Sequence, residues 1–218
     1  TNVSLPDAVT FVGEDAFAYC NELASFHIGT GFNNHDGNFL AYCPKLATLT
    51  VADGNTNNYK SVDNVLIHNV GSYGSYLIAC APGKTGDYTI PISEFTNDNV
   101  WIMDNCFASC DGLTSITFPA GKRYKLDKGI FADTSSLRYV DMRNVTGFIN
   151  NDKSVINVNV DRSDPDNPFY GLNDHTIVYL PSGNTAADDE YNVFIMNDGK
   201  TAATAHYIFL EDFAIWKE

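Results

Sequence analysis

Five segments of the chain share one spacing of apolar residues, and this repeat constrains the fold more than any other feature. The first is AFAYCNELASFHI, residues 16–28, whose apolar side chains stand at offsets 0, 3, 6, 9 and 11 and are Phe17, Cys20, Leu23, Phe26 and Ile28. The same offsets recur from Leu40, Phe107, Phe131 and Phe169 onward, with Thr134 and His175 each in the place of one apolar residue. Such an internal repeat indicates an architecture in which each copy is one structural unit.

The spacing excludes an amphipathic α-helix and indicates a coil followed by a strand. A step of three residues turns an α-helix by about 300°, so three such steps would place the first and last side chains on opposite faces. A 3-10-like or irregular coil has roughly three residues per turn and keeps all four on one side. The last step, of two residues, is the strand period. One unit cannot bury its own apolar face, whereas stacked units can, which predicts a strand-rich solenoid with little helix.

Each unit contributes one short strand to a predicted parallel ladder of six strands. Five strands come from the repeats, and the sixth comes from DYTIP, which matches SITFP. The predicted ladder strands are Phe26–Ile28, Leu49–Val51, Tyr88–Ile90, Ile116–Phe118, Val140–Met142 and Val178–Leu180. The repeat positions that face the interior give the predicted core, which includes Phe17, Cys20, Leu23, Cys43, Leu46, Phe107, Cys110, Leu113, Phe131 and Leu137.

Two insertions interrupt the predicted repeat. The apolar segments Val65–His68 and Tyr76–Cys80 flank VGSYGS, which predicts an inserted β-hairpin at about residues 62–81. The polar stretch at about 144–167 is predicted to be a loop with one short strand at Val155–Val160.

The repeat ends after LPSGN, so we expect the solenoid to span residues 1–184. Residues 185–218 are expected to form a capping hairpin from EYNVFIMNDG and AHYIFLEDF, because the last coil of a solenoid needs a cover. The chain begins with Thr1 instead of Met, which suggests that an N-terminal segment was removed or left out.

The charge of the chain excludes some classes of partner. Its formal net charge is −14, which argues against nucleic acid and against anionic membrane surfaces. No apolar run is long enough to span a bilayer.

The five cysteines are expected to be free thiols. Cys20, Cys43 and Cys110 occupy one repeat position, and Thr134 takes the same position in another copy. Equivalent side chains on stacked units lie about 4.8 Å apart, which is long for the Cβ separation of about 3.8 Å in a disulfide. One disulfide or a metal site are the alternatives, although the short ligand spacings of a zinc site are missing.

The sequence offers little for catalysis, and we expect neither an enzyme nor a bound cofactor. No GxSxG, HExxH, P-loop or CxxC motif is present. The acidic stretch Asp161, Asp164, Asp166 and Asn167 could offer oxygen ligands to calcium but lacks the Gly and terminal Glu of an EF-hand, so a solvated loop is favoured. The basic cluster Lys122, Arg123, Lys125 and Lys128 is predicted in a turn after a ladder strand, solvated or in contact with an anion.

Outward residues of the ladder form the candidate ligand face. Strand alternation places them in rows along the ladder, and they are Ser25, His27, Thr48, Thr50, Asp87, Thr89, Ser115, Thr117, Tyr139, Asp141 and Tyr179. Ile177 is predicted on the same side. Tyr is frequent at binding hot spots, so the expected centre is Tyr139, Asp141 and Tyr179, near Arg138. Thr is also what strand propensity alone would select, so part of the face has a purely structural explanation.

The repeat units resemble the BspA-type leucine-rich repeats of bacterial surface proteins. LPDAVTFVGEDAFAYCNELASFHI and CFASCDGLTSITFP match the LPxxVTxIGxxAFxxCxxLxxIxIP pattern of that family. The resemblance implies an α/β leucine-rich-repeat solenoid, with the strand ladder on its concave face and irregular coils on its convex side. It also implies an extracellular or cell-surface location and no catalytic residue.

Two functions are compatible with this resemblance. The first is a binding or adhesion module for host protein or glycan. The alternative is a structural spacer that displays another domain of a larger surface protein and has no ligand of its own. A domain beyond Glu218 would favour the spacer.

Overall fold

The computed structural model describes residues 1–150, 153–155, 164–173, 175–180, 194–197 and 200–201. Asn150, residues 153–155, Leu180 and the last two ranges are described by their backbone alone. In this part of the chain the only helix is a 3-10 turn at Ile92–Glu94. The strands are β1 (Asn2–Ser4), β2 (Phe11–Val12), β3 (Ser25–Ile28), β4 (Asn34–His35), β5 (Thr48–Val51), β6 (Tyr59–Val62), β7 (Val65–Val70), β8 (Gly74–Cys80), β9 (Gly86–Thr89), β10 (Asn99–Ile102), β11 (Leu113–Thr117), β12 (Arg123–Leu126), β13 (Tyr139–Asp141), β14 (Gly147–Asn150), β15 (Lys153–Val155), β16 (Ile177–Leu180), β17 (Phe194–Asn197) and β18 (Lys200–Thr201).

The predicted ladder is present, but it is divided between two sheets, so the prediction of one continuous ladder is wrong. The N-terminal sheet has three parallel strands in the order β1-β3-β5. The second sheet has six strands, and its parallel strands follow the order β9-β11-β13-β16-β17. Strands β1 and β17 extend the two parts beyond the six predicted strands.

The turn between β6 and β7 lies where the ladder is broken. Its residues Asp63 and Asn64 both have positive φ angles, of 51° and 61°, as in the tight turns of β-hairpins. The Asn64 side-chain oxygen accepts the Leu49 N–H of β5 at 3.1 Å, and the Asn64 carbonyl accepts the Ala81 N–H at 2.9 Å. Lys84, just before β9, forms an ion pair with Asp63. The turn therefore bonds to β5 on one side and to the residue just before β9 on the other, and so occupies the place of a ladder strand between them.

The insertion is larger than the predicted hairpin. Strands β7 and β8 pair antiparallel, and β6 adds a third antiparallel strand that begins at Tyr59. Strand β8 then pairs in parallel with β10, so this meander is part of a seven-stranded sheet in the order β15-β14-β12-β10-β8-β7-β6.

A second parallel ladder, which we did not predict, runs through this seven-stranded sheet. Strands β8, β10, β12 and β14 align Val100 with Tyr124 and Tyr124 with Phe148, a spacing of one repeat unit. Strands β2 and β4 form the equivalent pair in the N-terminal units. The predicted loop at 144–167 is therefore wrong at its start, where β14 continues the ladder and β15 pairs back on it.

The coils are runs of tight turns that stack through backbone hydrogen bonds. Within a coil, N–H groups bond to carbonyls three residues earlier, as from Cys110 to Phe107 at 3.1 Å. Between coils, Phe107 N–H donates to Ile130 at 2.9 Å, and Ser109 N–H donates to Ala132 at 2.9 Å. The residue two positions after the first apolar residue of each coil has a positive φ between 54° and 70°, and these residues are Tyr19, Tyr42, Ser109, Asp133 and Gly171.

Two apolar cores lie on opposite sides of the β6–β7–β8 meander. Leu66 and Ile78 belong to the N-terminal core, whereas their neighbours Ile67 and Leu77 belong to the C-terminal core. Because both faces of β7 and β8 are buried, these two strands contain continuous apolar runs, VLI in β7 and YLIAC in β8.

Eight of the ten predicted core residues are buried, and the other two, Phe17 and Cys20, are only half-buried. Both lie in the first coil of the described chain, and in this structure no earlier coil covers them. Cys43 and Cys110 are completely buried, and none of the five cysteines is bridged.

The C-terminal predictions fall largely outside the described residues. Strand β17 lies within EYNVFIMNDG but pairs in parallel with β16, so it extends the ladder, and the short β18 pairs with it antiparallel. AHYIFLEDF, the strand predicted at residues 156–160 and Asp161 lie outside the described residues.

Candidate functional site

The outward residues of the six-stranded sheet form two rows in register. One row aligns Asp87, Ser115, Tyr139 and Ile177, and the other aligns Thr89, Thr117, Asp141 and Tyr179. All of them are exposed or half-buried except Ile177, which stands in the outward row but is buried.

The N-terminal part of the candidate face lies on the other sheet. Ser25 is in register with Thr48, and His27 is in register with Thr50. The His27 ring Nδ1 lies 2.9 Å from the Thr50 hydroxyl. Because the ladder is broken between β5 and β9, the eleven residues form two separate surfaces and not the contiguous one that the spacing predicted.

Two tyrosines form the centre of the C-terminal surface. The rings of Tyr139 and Tyr179 are stacked, with centroids 6.2 Å apart and planes inclined by 25°. They lie on a diagonal, because the in-register partner of Tyr179 is Asp141. The guanidinium carbon of Arg143 is 4.6 Å from the centroid of the Tyr179 ring, which is cation–π distance.

Arg143 also holds Asp141 with two hydrogen bonds. Its Nε donates to Oδ1 at 3.0 Å and its terminal nitrogen donates to Oδ2 at 2.6 Å. Burial alone would raise the pKa of Asp141, but the hydrogen bonds from Arg143 outweigh it and keep the pKa below its usual value. The residue that completes this cluster is Arg143 and not Arg138, whose guanidinium donates to the carbonyls of Ser135 and Leu137.

Asp87 anchors the other end of this surface. Its Oδ1 accepts hydrogen bonds from the hydroxyls of Ser115 and Thr114, both at 2.8 Å. The bond from Ser115, followed by that from Thr114, lowers the pKa of Asp87. The C-terminal surface therefore presents ionised carboxylates at Asp87 and Asp141 beside the tyrosine stack.

The remaining polar clusters take structural roles. In the acidic stretch, Asp164 Oδ1 accepts the Asp166 N–H at 3.0 Å, and Asn167 Oδ1 accepts the Phe169 N–H at 3.0 Å. Among the side chains described, no group of three or more His, Cys, Asp or Glu is placed to hold a metal ion.

Half of the basic cluster lies on a strand and not in the predicted turn, because Arg123 and Lys125 belong to β12, whereas Lys122 precedes this strand and Lys128 follows it. Lys122 pairs with Asp98 at 3.2 Å, and Lys125 pairs with Asp127 at 3.1 Å.

A row of rings on the second ladder was missed by the sequence analysis. Tyr59, His68, Tyr76, Trp101 and Lys125 are in register on neighbouring strands. The Tyr59 and His68 rings stack with centroids 3.8 Å apart, and Lys125 Nζ lies 4.8 Å from the centroid of a Trp101 ring. The spacing of one repeat unit from Val100 to Tyr124 and Phe148 is the signal that could have revealed this ladder.

The repeats identify the family. Six copies of a family model described as "BspA type Leucine rich repeat region" match residues 1–65 and 88–153. The chain belongs to the BspA-type leucine-rich repeat family. No functionally curated protein matches it. Among the described residues of this BspA-type chain, no helix has the length and apolar character needed to cross a membrane.

Solved structures of bacterial proteins share the fold. A leucine rich cell surface protein from Faecalibacterium prausnitzii A2-165 is 20% identical, with a TM-score of 0.56 over 90% of this chain and 53% of that one. The pneumococcal vaccine antigen PcpA is 14% identical, with a TM-score of 0.55 over 91% of this chain and 55% of that one. The BspA-type chain thus spans about half the length of these two proteins, and at such identities the likeness shows the fold alone.

Proposed function

We propose that this BspA-type chain is an extracellular or cell-surface binding module that contacts host protein or glycan. The supporting observation is the cluster of Tyr139, Tyr179, Asp141 and Arg143 on the six-stranded sheet. It combines stacked aromatic rings with a bidentate ion pair on strands whose spacing is fixed by backbone hydrogen bonds. A rigid surface of this kind loses little entropy when it binds.

The cell-surface location is part of the proposal. It is supported by the name of the similar Faecalibacterium protein, which is described as a cell surface protein. The proposed centre is Tyr139, Asp141 and Tyr179, with Asp87, Thr89, Ser115 and Thr117 as its continuation along the sheet. The N-terminal residues Ser25, His27, Thr48 and Thr50 belong to a separate surface, which gives a natural control.

The test combines a ligand screen with two matched double variants. The protein is screened against a glycan array and immobilised matrix proteins, and each hit is retested with Tyr139→Ala/Tyr179→Ala and Thr48→Ala/Thr50→Ala. We expect the tyrosine variant to lose about tenfold or more in affinity, because each tyrosine supplies a large contact area. The threonine variant should bind as the wild type does.

Unchanged melting temperatures are the control for folding in both variants. If every hit binds the tyrosine variant as tightly as the wild type, the proposed centre is contradicted. A screen without any hit would favour the spacer function, in which the solenoid displays another domain.

A further inference from the structure

A stacked pair of tyrosines on the coil side has no counterpart in the later coils. Tyr19 and Tyr42 lie in neighbouring coils, with ring centroids 4.9 Å apart and planes inclined by only 4°. Tyr19 is 65% exposed. One face of its ring lies on Tyr42, which leaves most of the remaining ring surface open to water.

The fold does not need aromatic residues at this position. The equivalent residues of the later coils are Ser109, Asp133 and Gly171, and all five residues share the same left-handed backbone. This conformation favours Gly and short polar side chains, so a tyrosine is costly there. The later coils adopt the same backbone without a tyrosine, so the backbone geometry of the coil does not require Tyr19 and Tyr42.

Polar groups continue the tyrosine pair along the coils. The Tyr42 hydroxyl donates to Asn105 Oδ1 at 3.2 Å. Burial, followed by the influence of Tyr19, Asp133 and Tyr170, raises the pKa of Tyr42 to about 12, which places each of these three groups within electrostatic range of Tyr42. Asp133 is exposed, and Tyr170 is 40% exposed. We call Tyr19, Tyr42, Asn105, Asp133 and Tyr170 the coil-side patch.

We propose that the coil-side patch is a second binding site, separate from the strand surface, and that its ligand is a neutral carbohydrate chain. A sugar ring presents a flat array of C–H groups on one face and hydroxyl groups around its rim. The exposed ring face of Tyr19 suits stacking against the C–H face of the sugar. The oxygen atoms of Asn105, Asp133 and Tyr170 suit hydrogen bonds with its hydroxyl groups.

Two observations favour this ligand over others. The formal net charge of −14 opposes anionic polysaccharides. Among the side chains described, the exposed large hydrophobic residues are few and mostly tyrosine, namely Phe11, Tyr19, Tyr73 and Tyr170. The patch therefore lacks the aliphatic neighbours that would build the desolvated centre of a protein interface.

Affinity electrophoresis tests the proposal, because the negatively charged protein migrates readily in a native gel. The gels contain one neutral polysaccharide each, namely a β-glucan, glycogen, a galactomannan or a xylan, and a further gel contains the anionic heparin. We expect at least one neutral polysaccharide to retard the wild type and heparin to leave its mobility unchanged.

The variants then locate the site. Tyr19→Ala/Tyr42→Ala should raise the dissociation constant obtained from the retardation about tenfold, since it removes both rings. Tyr19→Phe/Tyr42→Phe keeps the rings and should keep most of the retardation. Tyr73→Ala removes a tyrosine that is 76% exposed in the turn between β7 and β8, and it should have no effect. Tyr139→Ala/Tyr179→Ala should also have none, which separates this proposal from the function of the strand surface.

Three results would overturn the proposal. The first is a wild type that no neutral polysaccharide retards, even if the protein screen yields a partner. The second is equal retardation of the wild type and a folded Tyr19→Ala/Tyr42→Ala variant. The third is a Phe double variant that loses as much as the Ala double variant, because ring stacking would then not carry the binding.

Discussion

At the scale of single residues, the repeat positions differ in how deeply they are buried. Phe107, the first apolar residue of its coil, is completely buried in the C-terminal core, whereas Phe17, the equivalent residue of the first coil, is half-buried. The same motif position therefore contributes different stabilisation in different units, because burial depends on whether a neighbouring coil covers it.

Replacing Leu113 by alanine should lower the free energy of unfolding by about 2–5 kcal/mol, since a completely buried side chain leaves a cavity. Chemical denaturation monitored by circular dichroism measures the loss. The control is Thr89→Ala, an exposed position on the neighbouring strand β9, which should change stability by less than about 0.5 kcal/mol. A Leu113→Ala variant as stable as this control would show that the position is not part of the core.

At the scale of elements, two histidines join the N-terminal units to the β6–β7–β8 meander. His35 of β4 and His68 of β7 have ring centroids 6.3 Å apart, and both rings contact Tyr59. Burial lowers the pKa of both, and it lowers the pKa of His68 to about 4, with a further contribution from His35. The contact therefore favours the neutral form of both imidazole rings.

The protein should lose stability as the pH falls from about 6.5 towards 4, because an unfolded histidine takes up a proton in this range while His68 in the folded protein resists it. The contribution of His68 is fully present above pH 6.5. After allowance for the partial exposure of the ring, we expect a loss of about 1 kcal/mol or more at pH 4.5.

Melting temperatures measured between pH 4.5 and 7.5 test this expectation. Because carboxylates also take up protons as the pH falls, a variant that lacks the histidine separates the two contributions. His68→Phe keeps a ring against Tyr59 but cannot be protonated, so its melting temperature should fall less on acidification. Parallel pH profiles for the wild type and His68→Phe would exclude a role for this histidine.

The elements also show what the sequence could reveal. The coils and ladder strands were predictable, because Phe107, Cys110 and Leu113 repeat with a fixed spacing and each position has one structural role. The second ladder was missed, because strands such as β10 contribute only two inward residues, Val100 and Ile102, and carry no fixed motif, so that the spacing of Val100, Tyr124 and Phe148 is its one signal. The alternation of strands placed Tyr139 and Tyr179 outward, but their diagonal stack with Arg143 depends on side-chain conformations that spacing does not encode.

The break in the ladder was unpredictable for a different reason. It depends on one side-chain contact, from the Leu49 N–H to Asn64 Oδ1, and on the ion pair of Lys84 with Asp63. Asp63, Asn64 and Lys84 belong to no repeat position, and the two contacts join residues 15 and 21 positions apart in sequence. Local patterns such as VGSYGS identify a turn, but they do not show where the meander docks.

At the scale of the whole molecule, the two cores divide the solenoid into two blocks, and the β6–β7–β8 meander lies between them and packs against both. Leu46 lies at the centre of the N-terminal core and Leu137 lies in the C-terminal core. In a repeat protein each unit contacts its neighbours, so a local defect need not spread along the whole chain.

Hydrogen exchange followed by mass spectrometry should show this division. Leu46→Ala should accelerate exchange in β3 and β5 by about tenfold or more and leave β11 and β13 nearly unchanged, because it weakens one core only. Leu137→Ala is the matched variant and should produce the reverse pattern. Acceleration of equal size in all four strands, from either variant, would mean that the chain unfolds as one cooperative unit.

The turn at Asp63 and Asn64 also has a mechanical consequence. Within each ladder, neighbouring strands are joined by several parallel backbone hydrogen bonds that share an applied load. Between β5 and β9 the connection passes instead through the Asn64 side chain, the Lys84 ion pair and single backbone contacts such as that from Gly83 N–H to the Leu46 carbonyl. A single-molecule experiment that pulls the protein from its two ends should therefore show the first yield at this junction, where the N-terminal core must also release Leu66 and Ile78 of the meander, before either ladder unzips.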